Sequence, residues 1–191
     1  RGRREGLAHP ALRGACQLRN ASACLAALDV LSLRLPVAAD EVQKGFAEVQ
    51  WPGRFQVLPG RPAVVLDVAH NPQAAAMLAQ NLDEMGVYPA TYAVFGMLRD
   101  KDIAGVCAAL KGRVSVWCAA TLTGARGAEA ASLDKAIRSA DALAEVGLFD
   151  SPRSAFDAAC KRAGENDRIL VFGSFYTVAE VMSAQATASG S

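Results

Sequence analysis

Ala63-Val64-Val65-Leu66-Asp67-Val68-Ala69-His70-Asn71-Pro72 is the stretch on which the fold turns. Its apolar residues run without alternation and end on a carboxylate, and the Asn-Pro pair that follows suits the cap and first turn of a helix. A strand apolar on both faces lies between two layers, as parallel strands do when helices cover both sides of a sheet. Arg168-Ile169-Leu170-Val171-Phe172-Gly173 repeats the pattern before another helical segment.

Working outward, further β-rich runs fall at Phe55–Leu58, Thr91–Phe95, Arg113–Cys118 and Glu145–Phe149. Helical patterns fall at Pro72–Met85, Ile103–Leu110, Leu133–Leu143, Pro152–Ala163 and Phe175–Ala184. Such alternation predicts an α/β domain with a Rossmann-like, doubly wound sheet and helices on both faces. The small-residue tail from Ala184 to Ser191 is expected to fray. Residues 1–50 differ in character. Gly14–Leu33 reads as one helix with Cys16, Leu18, Ala21, Leu25, Leu28 and Leu31 on its apolar face. Asp40 suits the cap of a second helix carrying Val42, Phe46 and Val49. Trp51-Pro52-Gly53 is strong punctuation and marks the expected boundary between 1–50 and 51–191.

The 191 residues hold 20 Lys and Arg against 19 Asp and Glu, a net charge of +1. With its signs interspersed, the chain lacks the basic stripe that nucleic-acid binding requires. Arg1, Arg3 and Arg4 read as a solvated tail. The five cysteines, Cys16, Cys24, Cys107, Cys118 and Cys160, are odd in number and widely spaced, and read as reduced core residues of a cytoplasmic protein. Two histidines, His9 and His70, and no Cys-x-x-Cys argue against a protein-built zinc site. No apolar run is long enough to span a bilayer, and no signal peptide follows the Arg-rich start, so the Asn20-Ala21-Ser22 sequon carries no weight. The chain begins Arg1-Gly2 without Met, as a fragment would.

Ligands of open α/β sheets bind beyond the carboxyl ends of the strands, so the residues there carry the chemistry. Asp67 can accept hydrogen bonds from vicinal hydroxyls, as on a ribose, or from backbone N–H groups of its own loop. His70 is either a ligand-facing group or an ordinary loop histidine. In Gly96-Met97-Leu98-Arg99-Asp100-Lys101-Asp102, Asp102 can be an N-cap and Lys101 can face anionic oxygens or solvent. Ser174 at a helix start can be a plain cap or can help receive a carboxylate or phosphate. The sequence has no Gly-x-x-x-x-Gly-Lys-Ser/Thr phosphate loop and no Gly-x-Gly-x-x-Gly, which argues against a dinucleotide oxidoreductase. It also has no Gly-x-Ser-x-Gly elbow, which leaves serine catalysis improbable.

Five motifs taken in order resemble the folylpolyglutamate and dihydrofolate synthases of the Mur ligase superfamily. They are Pro10 to Gly14 with Gln17 to Ala21, Pro52-Gly53-Arg54-Phe55-Gln56, Asp67 to Pro72, Gly96 to Asp102, and Phe172-Gly173-Ser174-Phe175-Tyr176. The resemblance implies that 1–50 are the last helices of a central ATPase domain and 51–191 a C-terminal ligase domain. It further implies that Asn20 contacts the adenine of ATP, Arg54 its phosphates and Asp67 its ribose hydroxyls. His70, as a catalytic residue, and Ser174 are implied to place the incoming L-glutamate. Lys101 and Asp102 belong to the motif without an implied role. The implied activity is ATP-dependent amide ligation: dihydropteroate or a folate is activated as an acyl phosphate, which the glutamate amine then attacks. The phosphate loop, the Mg²⁺ ligands and most of the pterin pocket are expected in an N-terminal ATPase domain outside this chain, so the chain alone is expected to be inactive. The family implies a monomer, and neither nucleic acid nor membrane is expected as a partner. A contrasting expectation is a stand-alone nucleotide-binding or regulatory module of the same fold.

Overall fold

The computed structural model describes residues 6–7, 9–14 and 16–188. The basic tail of Arg1, Arg3 and Arg4 lies outside them. Two helices, α1 (Cys16–Leu31) and α2 (Ala39–Glu48), precede a six-stranded sheet. The strands are β1 (Gln56–Leu58), β2 (Ala63–Leu66), β3 (Thr91–Phe95), β4 (Val116–Ala120), β5 (Glu145–Phe149) and β6 (Arg168–Phe172). The helices among and after them are α3 (Pro72–Glu84), α4 (Ile103–Leu110), α5 (Ala130–Ala140), α6 (Pro152–Arg162) and α7 (Phe175–Ala188).

The strand order is β1-β2-β6-β3-β4-β5, parallel except for β1, which pairs antiparallel with β2 at the edge. Strand residues alternate between two cores. Val65, Phe95, Trp117 and Phe172 face α3, α4 and α5 through Leu78, Leu82, Leu110, Leu133 and Ile137. Leu66, Val94, Cys118 and Val171 face α6 and α7 through Phe156, Val178 and Val181. Every residue of β3, β4 and β6 is buried, as runs without alternation require. Phe95 stacks on Phe172 at 4.8 Å and meets the edge of Trp117 at 5.4 Å, which locks the central strands together.

This topology places the site. The helix after β2 covers one face and the helix after β6, its neighbour, covers the other, so the chain parts between their carboxyl ends. Ligand crevices open at such points.

Several expected boundaries shift for local reasons. β4 starts at Val116, not Arg113, because Gly112 at φ +76 and the Arg113 N–H to Leu110 carbonyl bond close a turn. The Arg113 guanidinium then pairs with Asp83 at the end of α3. α5 starts at Ala130, whose N–H donates to Thr121 Oγ1 at 3.0 Å, and ends before Asp141, whose carboxylate accepts from Leu143 N–H and turns the chain. Asp40 is not the cap of α2. That position is Ala38, whose N–H donates to Glu41 at 2.8 Å, leaving Asp40 in the first turn beside the positive helix end. α7 continues to Ala188, past the expected fraying point at Ala184, and the rest of the expected tail, 189–191, lies outside the described residues. The cysteines are not uniformly core: Cys107 and Cys118 are buried, whereas Cys24 on α1 and Cys160 on α6 are exposed. No residue of α1 is buried.

Candidate functional site

The loop Pro52–Gln56 adopts a conformation that few residues tolerate. Gly53 sits at φ +71, where a Cβ would lie 2.9 Å from Val68 Cγ1, and Phe55 itself has a positive φ of 44. Four hydrogen bonds hold the loop. Gly53 N–H donates to Gln56 Oε1, Arg54 N–H to the Trp51 carbonyl, Val68 N–H to the Gly53 carbonyl, and Phe55 N–H to Asp67 Oδ2 at 2.9 Å. Asp67 Oδ1 accepts from Ala69 N–H at 2.7 Å. Of the two readings of Asp67 open in the sequence, backbone acceptance is therefore realised. Each carboxylate oxygen keeps a further lone pair, so a hydroxyl ligand is not displaced by it. Burial pushes the Asp67 carboxyl above its ordinary value, while the Ala69 and Phe55 N–H groups and the Arg54 charge pull the other way. The Arg54 guanidinium lies 5.9 Å from the Phe175 ring at the start of α7, a cation–π contact that reaches from one loop toward the other.

After Asp67 the chain turns into α3. Asn71 Oδ1 accepts from Ala74 N–H at 2.9 Å and Pro72 fills the first turn, so the Asn-Pro pair is a helix start. His70 is half-buried, with Nδ1 2.9 Å from the Val68 carbonyl. A carbonyl only accepts, so Nδ1 carries the proton and Nε2 keeps a lone pair that can receive one. Across the β2–β6 crevice, Ser174 is 4% exposed and its Oγ accepts from Tyr176 N–H at 3.1 Å, leaving the hydroxyl proton free to donate.

The β6–β3 side is shut. Thr177, fully buried, donates from Oγ1 to the Gly96 carbonyl at 2.8 Å, and a Cβ on Gly173 (φ +107) would lie 2.5 Å from the same oxygen. Asp102 Oδ1 accepts from Gly105 N–H at 2.8 Å and is the cap of α4. Lys101 lies in the loop before it. That loop is zipped to residues 122–128 by Ala128 N–H to the Met97 carbonyl, Arg99 N–H to the Arg126 carbonyl, and an Asp100–Arg126 ion pair at 2.6 Å.

Asn20, Arg54 and Asp67 line one cleft of about 450 Å³, between α1, the Pro52–Gln56 loop and α3. Asn20 Nδ2 donates to Gln17 Oε1 at 3.0 Å, which leaves its carbonyl free. Ala74 and Met77 supply an apolar wall, and Asn81 lies further along α3. His70 and Ser174 do not line this cleft; they follow the carboxyl ends of the neighbouring strands β2 and β6. Sequence reasoning missed Thr177 and Asn81. Thr177 falls in the first turn of α7, where a buried hydroxyl has no pattern of its own, but the i, i+3/i+4, i+7 run Ala74, Met77/Leu78, Asn81 was visible. Among the described residues no group of three His, Cys, Asp or Glu is placed to hold a metal ion. No helix among them is long and apolar enough to cross a membrane.

Comparison with known proteins shows the family and the fold. The family model of the Mur ligase, glutamate ligase domain, matches residues 53–175. The dihydrofolate synthase/folylpolyglutamate synthase of Escherichia coli is 43% identical over 163 residues, covering 85% of this chain and 37% of that protein. A structure of E. coli FolC in complex with DHPP and ADP superposes with a TM-score of 0.85 at 39% identity, over 96% of this chain and 42% of that one. A bifunctional folylpolyglutamate synthase/dihydrofolate synthase with Mn, AMPPNP and L-glutamate bound gives a TM-score of 0.81 at 38% identity, over 95% and 41%. The chain thus spans about two-fifths of the length of these relatives.

Proposed function

This chain belongs to the Mur ligase family through its glutamate ligase domain, and we propose that it is the C-terminal part of an ATP-dependent ligase that adds L-glutamate to dihydropteroate, to a folate, or to both. The observation that carries this reading is the convergence of Asn20, Arg54 and Asp67 in one cleft, although α1, a loop and a strand end supply them separately. In that cleft Asp67 accepts from the ribose hydroxyls, Arg54 faces the phosphates, and the apolar wall at Ala74 and Met77 receives the base. Structures of longer relatives hold ADP, or AMPPNP with Mn, which supports ATP with a divalent ion, Mg²⁺ in the cell. The residues of this chain supply the nucleotide contacts, and the ion's ligands belong to the ATPase domain.

The division at residue 50 follows the same reading: 1–50 close the ATPase domain and 51–191 form the ligase domain. α1, without a buried residue, is what a helix seated on another domain presents. When bound, the nucleotide activates a substrate carboxylate as an acyl phosphate. His70, with Nε2 free, and Ser174, with its hydroxyl proton free, flank the crevice where the glutamate is received. His70 Nε2 takes a proton from the glutamate ammonium so that the amine can attack. Closure of this domain over the nucleotide excludes water from the crevice, which protects an acyl phosphate. The protein is a cytoplasmic monomer on this reading.

The test is kinetic, on the intact protein. Arg54→Ala and Asp67→Ala are each expected to lower kcat/KM at least about tenfold, roughly 1.4 kcal/mol of transition-state stabilisation. Wild-type kinetics in both variants would remove the nucleotide assignment.

A further inference from the structure

Five polar or charged side chains are buried among the described residues: Asn81, Thr91, Arg168, Ser174 and Thr177. Four have partners. Arg168 binds Thr91 Oγ1 and the Leu82 carbonyl, Ser174 receives Tyr176 N–H, and Thr177 donates to Gly96. Asn81 is 6% exposed, yet its carboxamide makes no hydrogen bond among the described residues. An amide brings two donors and an acceptor, and burying it unpaired is costly. No fully enclosed side-chain nitrogen or oxygen lacks a partner among those residues, so the Asn81 amide opens onto the cleft it lines.

Its surroundings hold it there. A Cβ on Gly14, at φ +108, would lie 2.7 Å from Asn81 Nδ2, so the backbone at Gly14 closes one side of the amide. Asn81 stands seven residues beyond Ala74 on α3, about 10 Å along the helix at 1.5 Å per residue. A nucleoside with its hydroxyls at Asp67 and its base along Ala74 and Met77 therefore brings the outer edge of the base to Asn81.

Building on the nucleotide reading above, we propose that Asn81 is a base-reading residue whose carboxamide hydrogen-bonds the amino-bearing edge of adenine. That edge offers a donor beside an acceptor, the pattern an amide matches with both of its ends. Asn20, across the cleft, leaves a second amide to hold the base from the other wall.

Calorimetric titration of the intact protein with ADP and with purine riboside 5′-diphosphate, which lacks the amino group, tests this. Wild type should prefer ADP by about three- to tenfold, the range of one neutral hydrogen bond. Asn81→Ala should weaken ADP by a similar factor and bind the two ligands alike. Asn81→Asp, which keeps the volume and removes the donor, should weaken both ligands yet keep the preference, because its carboxylate still accepts from the amino group, and circular dichroism checks that each variant folds. Equal affinity of wild type for both ligands would overturn the proposal without any variant. Weakening of both ligands alike by Asn81→Ala would also overturn it, because that is the mark of packing alone. Failure of wild type to bind ADP would instead remove the nucleotide reading, and this proposal with it.

Discussion

Asp67→Asn keeps the shape of a side chain that joins the fold to the cleft, and removes its charge. The carboxylate receives Ala69 N–H at 2.7 Å and Phe55 N–H at 2.9 Å, the latter fixing a residue with φ of 44. An amide has one acceptor oxygen, so whichever way it turns, one of these N–H groups meets an NH₂. Losing one bond to a charged acceptor costs about 1.5–3 kcal/mol, partly offset by relief of the carboxylate's burial, which leaves a net loss of about 1–2 kcal/mol at neutral pH. For a chain of this size that lowers Tm by about 2–8 °C. The pH dependence has a definite sign. Burial is the dominant influence and raises the folded pKa of Asp67 above its ordinary 3.8. Its contribution is thus complete below that value and is lost as pH rises through the folded pKa. The protonated acid still accepts through its hydroxyl oxygen, which the amide nitrogen cannot do. The margin of wild type over Asp67→Asn is therefore largest in acid and narrows toward neutrality. Urea unfolding at a series of pH values, with constant m, measures that margin. A margin that widens with pH would show that the N–H groups outweigh burial. No margin at any pH would show that they hold nothing.

The remaining expectations concern the sheet end and the thiols. Thr177→Val, nearly isosteric at a fully buried site, removes the bond to the Gly96 carbonyl and is expected to cost about 1–3 kcal/mol. An unchanged Tm by calorimetry would show that the β6–β3 seal rests on packing alone. Burial pushes the Cys107 thiol to about 12 and Cys118 to about 11. Iodoacetamide at about pH 8 should therefore modify exposed Cys24 and Cys160 in the folded protein and reach the buried pair only on unfolding. Peptide mapping that finds Cys107 modified first would contradict the burial described.

Those strands without alternation, such as Ile169 to Phe172, could be read from sequence because burial on both faces leaves one pattern, and their neighbours follow from it. Local chemistry was equally legible at Asn71-Pro72 and Asp102, where a cap and its helix lie within four residues. Boundaries failed where a distant or competing group decided them. α5 begins at Thr121's hydroxyl, nine residues back, and α2 at a cap made by Glu41. For the site, motif order pointed to Asn20, Arg54 and Asp67, which the fold gathers in one cleft. It could not show that Asp67 also pins Phe55, nor that Asn81 is buried without a partner, because both depend on segments folded against each other from afar.

The cleft's two walls are not equally firm. Arg54 and Asp67 belong to a loop and a strand end cross-linked by two hydrogen bonds, Phe55 N–H to Asp67 and Val68 N–H to the Gly53 carbonyl, and backed by the sheet. Asn20 stands on a helix with no buried residue. A ligand spanning both walls must pay for fixing the weaker one, and that entropy is subtracted from its affinity. Whatever holds α1 in place therefore raises nucleotide affinity without touching the nucleotide. On the proposed reading that support comes from the rest of the ATPase domain, so closure over the ligand depends on a helix at the join. Arg54, seated on the firm wall, also leans toward Phe175 at the start of α7, the helix that follows Ser174. On the proposed reading, the nucleotide cleft and the glutamate crevice share one loop, Asp67–Asn71, fixed at its first residue by two N–H groups and at its last by the cap of α3.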